Sequence, residues 1–207
     1  VPPVLVPAAR FERWVLNFQG RHGATGLTLA GGALAGAASD GSTFQARLPF
    51  AEGYDGLPDA EAFAAAAVAP DDWGVLLVRK GGFAVARLAG DRTGESKVGQ
   101  RHVQGRTKAG GQSQQRFARR RDNQARQAYE AAAEHAARIL AGLRGPLITG
   151  GDRPAVEEVL GDPRLRSLEV VGPWLAVPDP RRAVLEQAVA DACSVQVEVV
   201  NADAGSA

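Results

Sequence analysis

Residues 73–88 read Trp-Gly-Val-Leu-Leu-Val-Arg-Lys-Gly-Gly-Phe-Ala-Val-Ala-Arg-Leu, and the fold turns on how this stretch is read. Two short apolar runs, Trp73 to Arg79 and Phe83 to Leu88, flank Lys80-Gly81-Gly82, which is the composition of a β-hairpin. A third run, Glu95 to Val103, extends the pair into an antiparallel meander. Beyond a polar loop, 104–112, the spacing of Ala118, Ala125, Tyr129, Ala132, Ala136, Ile139 and Leu143 predicts one long amphipathic helix from Ser113 to Leu140, stopped by Gly142 and Gly145. Strands and helices then alternate: strand Pro146 to Thr149, helix Arg153 to Leu160 with Asp152 as N-cap and Pro154 in its first turn, strand Leu168 to Val171, helix Pro180 to Cys193, strand Val195 to Val200. A meander followed by alternation predicts an α/β fold, a mixed five-stranded sheet with helices on both faces.

Upstream, residues 1–70 read as a separate α+β section, bounded at Pro70 to Asp72. Phe11, Trp14, Val15 and Phe18 fall at helical spacing between Pro7 and Gly20. Two strands, Thr25 to Ala30 and Thr43 to Leu48, are expected to meet through a flexible Gly-Ala connection, and an Ala-rich helix, Asp59 to Val68, closes the section. Gly31-Gly32 and Gly36 lack the spacing of a phosphate loop and read as a turn. The α/β domain is expected over 71–201, with a disordered tail at 202–207.

Composition narrows the function classes. Hydrophobic residues make up 45% of the chain, enough for a true core, and no run reaches the roughly 20 apolar residues of a membrane span. The first residues lack the pattern of a secretory signal, so a cytoplasmic location is expected. Cys193 is the only cysteine, and His22, His102 and His135 are scattered, so neither a disulfide nor a metal site is expected, and no cofactor. Glu157-Glu158, Asp152 and Asp162 form no recognisable acidic metal cluster. Glu134-His135 reads as surface or core filling, and Cys193 and Ser194 lack a partner motif for nucleophilic catalysis.

Charge is distributed unevenly. The whole chain has a net charge of +1, yet Arg101, Arg106, Lys108, Arg116, Arg119, Arg120, Arg121 and Arg126 stand together against Asp122 alone. A loop holding Gly105, Gly110 and Gly111, with Arg106 and Lys108 and no acid, runs into that arginine-studded helix. Adjacent glycines permit close backbone approach, and the helix start at Ser113 offers unpaired amides and the positive end of the macrodipole, so the segment suits a polyanion such as RNA. The four arginines at 116–121 span little more than one turn and radiate around the helix; some must face a partner, and each phosphate contact would steepen the salt dependence of binding.

Residues 110–121, Gly-Gly-Gln-Ser-Gln-Gln-Arg-Phe-Ala-Arg-Arg-Arg, resemble the G-G-Q-S-x-x-R-F-x-R-x-R signature of the middle domain of eukaryotic and archaeal class 1 release factors. The hairpin, the strand entering the loop, the long helix and Leu147-Ile148-Thr149-Gly150-Gly151 stand where that family has corresponding elements, so the resemblance covers about 71–201. It implies that domain's fold, with its ribonuclease H-like motif. A full factor also has codon-reading and partner-recruiting domains, for which 207 residues leave no room. The chain is therefore most similar to the stand-alone Vms-like release factors, including compact bacterial members, which cleave peptidyl-tRNA without reading a stop codon.

That resemblance implies a peptidyl-tRNA hydrolase acting in ribosome rescue and quality control, with the large subunit, its peptidyl-transferase centre and peptidyl-tRNA as partners, no membrane, and a monomeric state. Gln112 would orient the attacking water, and Gly110 and Gly111 would let the loop thread to the ester. Arg106, Lys108, Ser113, Arg116, Arg119, Arg120 and Arg121 would contact RNA. Gly111-Gln112-Ser113-Gln114 also fits a G-x-x-Q arrangement, so Gln114 stays a competing assignment, although Gln112 precedes the helix cap, where a loop can present it. Two other classes compete: a non-catalytic ribosome- or RNA-binding module of the same fold, and a nucleotide-binding enzyme using the glycines near Gly31 or Gly150.

Overall fold

The computed structural model of the chain describes residues 3–100 and 126–202. It is a mixed α/β structure with two five-stranded sheets. Contacts divide the chain into two compact units, Val1–Ala69 with Ala190–Ala207, and Pro70–Val189.

The first unit is antiparallel throughout, with strands β1 (Val4–Val6), β2 (Thr25–Ala30), β3 (Ala33–Ala38), β4 (Thr43–Arg47) and β10 (Val195–Val200) in the order β1-β10-β4-β3-β2. Helix α1 (Ala8–His22) covers one face with Phe11, Val15 and Phe18. It runs through Gly20 and stops at Gly23, whose φ of 92° suits glycine and whose N–H donates to the Gln19 carbonyl. Helix α2 (Ala60–Ala65) is shorter than its Ala-rich sequence suggests; Asp59 caps it by accepting from the Glu61 and Ala62 amides at 2.9 Å.

The expected flexible connection between the first two strands is instead a strand, β3, hydrogen-bonded between β2 and β4. Small residues form it for a packing reason. Gly36 faces Phe44 across the ladder, and a Cβ there would run into the Phe44 ring, so the ring lies flat over a strand that glycine and alanine keep low. Gly31 and Gly32, at φ 56° and 73°, make the two-residue turn from β2 to β3, as a turn reading requires.

In the second unit, strands β5 (Trp73–Arg79), β6 (Gly82–Ala89), β7 (Arg92–Gln100), β8 (Leu147–Gly151) and β9 (Val170–Leu175) lie in the order β7-β6-β5-β8-β9. The first three are antiparallel, while β5, β8 and β9 run parallel, so the sheet is mixed as expected. Helix α3, described over 126–139, and α4 (Arg153–Leu160) pack on the face of Leu76, Val78, Phe83 and Val85. Two crossovers that step the same way across a sheet with the usual right-handed sense put their helices on one face. Helix α5 (Arg182–Ala192) lies on the other: Arg182 Nη1 donates to Ser96 Oγ at 3.0 Å, and Ser96 pairs with Ala86, on the opposite face from Val85.

Several boundaries move by a few residues. Strand β7 begins at Arg92 and β9 runs from Val170 to Leu175, while α5 starts at Arg182. Strand β10 keeps its expected span but joins the first sheet rather than continuing the second. Its alternation Val195-Gln-Val-Glu-Val buries one face only, which suits a one-sided antiparallel sheet; the buried parallel strand Trp73 to Val78 is apolar without interruption.

Candidate functional site

Gly110, Gly111 and Gln112, the alternative Gln114 and Gln115, and the RNA-contact candidates Arg106, Lys108, Ser113, Arg116, Arg119, Arg120 and Arg121 all lie outside the described residues, as do Ala118 and Ala125 of the helix stripe. The described residues supply the frame on either side: edge strand β7, which leads in, and helix α3, which leads out.

Three contacts tie that frame together. Within α3, Tyr129, Ala132, Ala133, Ala136 and Ile139 are buried on the sheet, matching the predicted stripe where both are defined, with Leu140 buried just beyond the helix and Leu143 packed beside them. Phe83 is the second tie. It covers Gly99, where a Cβ would collide with its ring, and it stacks on His135 of α3 with centroids 5.6 Å apart. The end of β7 before residue 101 is therefore tied to the helix through one aromatic ring. The third is charge: Arg138 of α3 pairs with Glu95 of β7, and Arg164 forks between Glu134 of α3 and Asp162, at 2.9 Å each. Arg164 holds the Asp162 carboxyl down to about 2, through its guanidinium first and its backbone N–H second. His135 and Glu134 thus serve packing and ion pairing.

The C-terminal end of α3 is anchored by Asp72 and Arg87, which the sequence reading passed over. Arg87 Nε and Nη2 meet both Asp72 carboxylate oxygens at 2.7 and 3.0 Å, and Arg87 Nη1 donates to the Ala141 carbonyl at 2.8 Å. Asp72 also accepts the Arg144 amide at 2.9 Å. The pair so neutralises exposed carbonyls at the negative end of the helix dipole. Arg87 beside it holds the Asp72 carboxyl below its ordinary value, and the Arg144 amide adds to this against the cost of burial. Arg87 faces Gly74 across the hairpin, so this cluster was legible once the pairing was known. Glu95 and Arg138, 43 residues apart, carry no such signal.

A second polar group sits at the carboxyl ends of the parallel strands. Arg79 Nη1 donates to the Val177 carbonyl at 3.0 Å, and its Nε lies 3.5 Å from Asp152 and 3.8 Å from Asp179. Asp152 occupies the N-cap position of α4, as read from the sequence, and makes no side-chain capping bond there. Arg153 lies over the Trp174 ring at 4.4 Å. Burial raises the Tyr129 phenol, and the charges of Glu158 and Asp152 raise it further, so it stays protonated at neutral pH. Ser194 Oγ donates to the Ala190 carbonyl at 2.9 Å, a helix-end contact rather than a nucleophile's setting. Among the described residues no three His, Cys, Asp or Glu side chains are grouped to hold a metal ion, and no helix is long and apolar enough to cross a membrane.

A family model described as the Actinobacteria/chloroflexi VLRF1 release factor matches residues 71–198, well over half of the chain, from just before β5 into β10. No curated protein matches the chain.

Proposed function

Because the chain belongs to the Actinobacteria/chloroflexi VLRF1 release factor family, we propose that it frees nascent peptide from tRNA on stalled ribosomes, as a peptidyl-tRNA hydrolase of the Vms-like kind that reads no stop codon. The observation that carries this is that the family match spans the segment containing Gly110-Gly111-Gln112. Supporting it, the two elements that flank the segment are braced to each other by Phe83, His135 and the Glu95–Arg138 pair, a rigid base from which a loop can be presented.

The ester between peptide and terminal ribose is activated, so placement of water matters more than a strong base. In this reading the Gln112 side-chain amide orients the water. The water oxygen attacks the acyl carbon, the backbone amide of Gln112 stabilises the oxyanion, and the ribose oxygen leaves with the proton that water gives up. Gly110 and Gly111 allow the approach. Arg106, Lys108, Ser113, Arg116, Arg119, Arg120 and Arg121 contact RNA phosphates of the large subunit or the tRNA.

The test is single-round release from stalled ribosome–nascent chain complexes, read as conversion of labelled peptidyl-tRNA to free peptide, alongside co-sedimentation with large subunits. Gln112→Ala is expected to slow release by about 100-fold or more while leaving co-sedimentation intact. Release at the wild-type rate by that variant would move the role to Gln114 or Gln115. A wild-type protein that co-sediments but releases nothing would instead be a non-catalytic ribosome-binding module.

A further inference from the structure

The first sheet has two edges, β1 and β2, and the sequence treats them differently. Strand β1 is three residues long and follows Pro2 and Pro3 in the sequence, a short edge beside residues that cannot donate to a ladder. Strand β2 is six residues, Thr-Gly-Leu-Thr-Leu-Ala, with neither charge nor proline and with four of its residues exposed. Its ladder to β3 is unbroken from Thr25↔Ala38 to Ala30↔Ala33. None of the devices that blunt a free edge is present in it.

The phase of the ladder identifies which backbone groups of β2 point away from β3. Ala30 and Ala33 flank a two-residue turn, so they form the hydrogen-bonded pair that closes the hairpin. At the far end the Ser39 N–H donates to the Ala24 carbonyl at 2.9 Å. Both observations turn the even-numbered residues inward, and alternation then points the N–H and C=O of Thr25, Leu27 and Leu29 away from the sheet. The side chains of Leu27 and Leu29 lie on the face of Leu34 and Phe44, at its margin: Leu27 is partly buried and Leu29 is 37% exposed.

We propose that this edge pairs with the same edge of a second copy of the chain, antiparallel, with Leu27 opposite its counterpart and Thr25 opposite Leu29, so that the two sheets become one. In that register the outward groups of Thr25, Leu27 and Leu29 meet reciprocally, and side chains of like face stay on like face. Charge favours the same orientation. Exposed Arg21 lies at the start of the edge, where His22 and Asp40 satisfy each other at 2.8 Å. Exposed Glu52 and Asp55 flank the turn at the other end, where the Tyr54 N–H donates to the Gly32 carbonyl at 2.9 Å. A twofold antiparallel pair sets the Arg21 end of each copy at the acidic end of the other; a parallel pair would set like ends together. This differs from the monomer that the family resemblance implies, and it does not depend on the release reading.

Size-exclusion chromatography with light scattering, from low micromolar to sub-millimolar protein, tests it. The wild type is expected to shift from monomer to dimer as concentration rises. Leu27→Pro removes an outward N–H and no rung of the β2–β3 ladder, and is expected to remain monomeric with an unchanged far-UV spectrum. Leu29→Lys leaves the backbone intact and is expected to weaken dimerisation about tenfold or more at low salt. Should Leu27→Pro fail to fold, Leu29→Lys decides. A wild type that stays monomeric throughout, including one whose edge instead takes an extended strand of another protein, overturns the proposal, as does a Leu29→Lys variant that dimerises like wild type.

Discussion

The two sheets solve the same problem with opposite materials. The second sheet is built from large aliphatic strands, with Val75, Leu76, Leu77 and Val85 fully buried, and its helix α3 contributes Ala132, Ala133 and Ala136 with Tyr129 and Ile139. The first sheet reverses this: its inner strand β3 is glycine, alanine and a single leucine, and α1 and its neighbours contribute the bulk. There Phe11 contacts Phe63 at 5.2 Å, Trp14 meets Phe44 edge-on at 5.1 Å, and Phe18 meets Phe44 at 5.0 Å. Volume must be filled in either case, and it does not matter which layer supplies it. Composition of a strand alone is therefore a poor guide to whether it is one.

Both sheets nevertheless share one device, a phenylalanine laid over a cross-strand glycine: Phe44 on Gly36 and Phe83 on Gly99. The contexts differ. Gly36 is buried in a strand with neighbours on both sides, whereas Gly99 lies on an edge strand with a neighbour on one side.

If the aromatic layer carries the first unit, truncating it is expected to have the largest effect on stability. Phe11→Ala, at a fully buried site, should cost about 3–5 kcal/mol in urea unfolding, with loss of hydrogen-exchange protection concentrated in β3, β4 and β10. A loss under about 1 kcal/mol would break the comparison. The glycine pair sharpens it: Gly36→Val is expected to cost about 2–3 kcal/mol and Gly99→Val about 1, because an interior strand cannot move aside. Equal costs would mean that edge and interior are equally confined.

A smaller effect is expected at the charged anchor of α3. Asp72→Asn should cost about 1–2 kcal/mol at neutral pH. Since the Asp72 carboxyl is held below its ordinary value, its contribution is present above the normal carboxylate range and fades as pH falls through the depressed value. The variant should accordingly show a shallower acid limb in a plot of melting temperature against pH; an unchanged limb would remove Asp72 from the account.

Much of the second unit was legible before any coordinates. The hairpin, the helix stripe from Tyr129 to Ile139, the span of α4 and, in the first unit, the span of β10 follow from local periodicity, which is what a chain segment of this length fixes. The candidate site was legible only as a motif and a charge cluster. Its glutamine and arginines fall outside the described residues, so the structure speaks to the frame around them: the Phe83–His135 stack and the Glu95–Arg138 and Glu134–Arg164 pairs, none of which local spacing announces.

By itself the sequence determined the alternation of strand and helix, a turn at Gly31-Gly32, and the Gly-Gly-Gln string with its arginines, because each depends on neighbours a few residues apart. Tertiary structure alone decided that the glycine-alanine stretch 33–38 is a strand, since only the Phe44 ring beside Gly36 gives that low surface something to bury. It also decided that Val195 to Val200 returns to the first sheet. Pairing partners far apart in the chain are chosen by which exposed ladder and which apolar face remain uncovered, and that is a property of the assembled molecule.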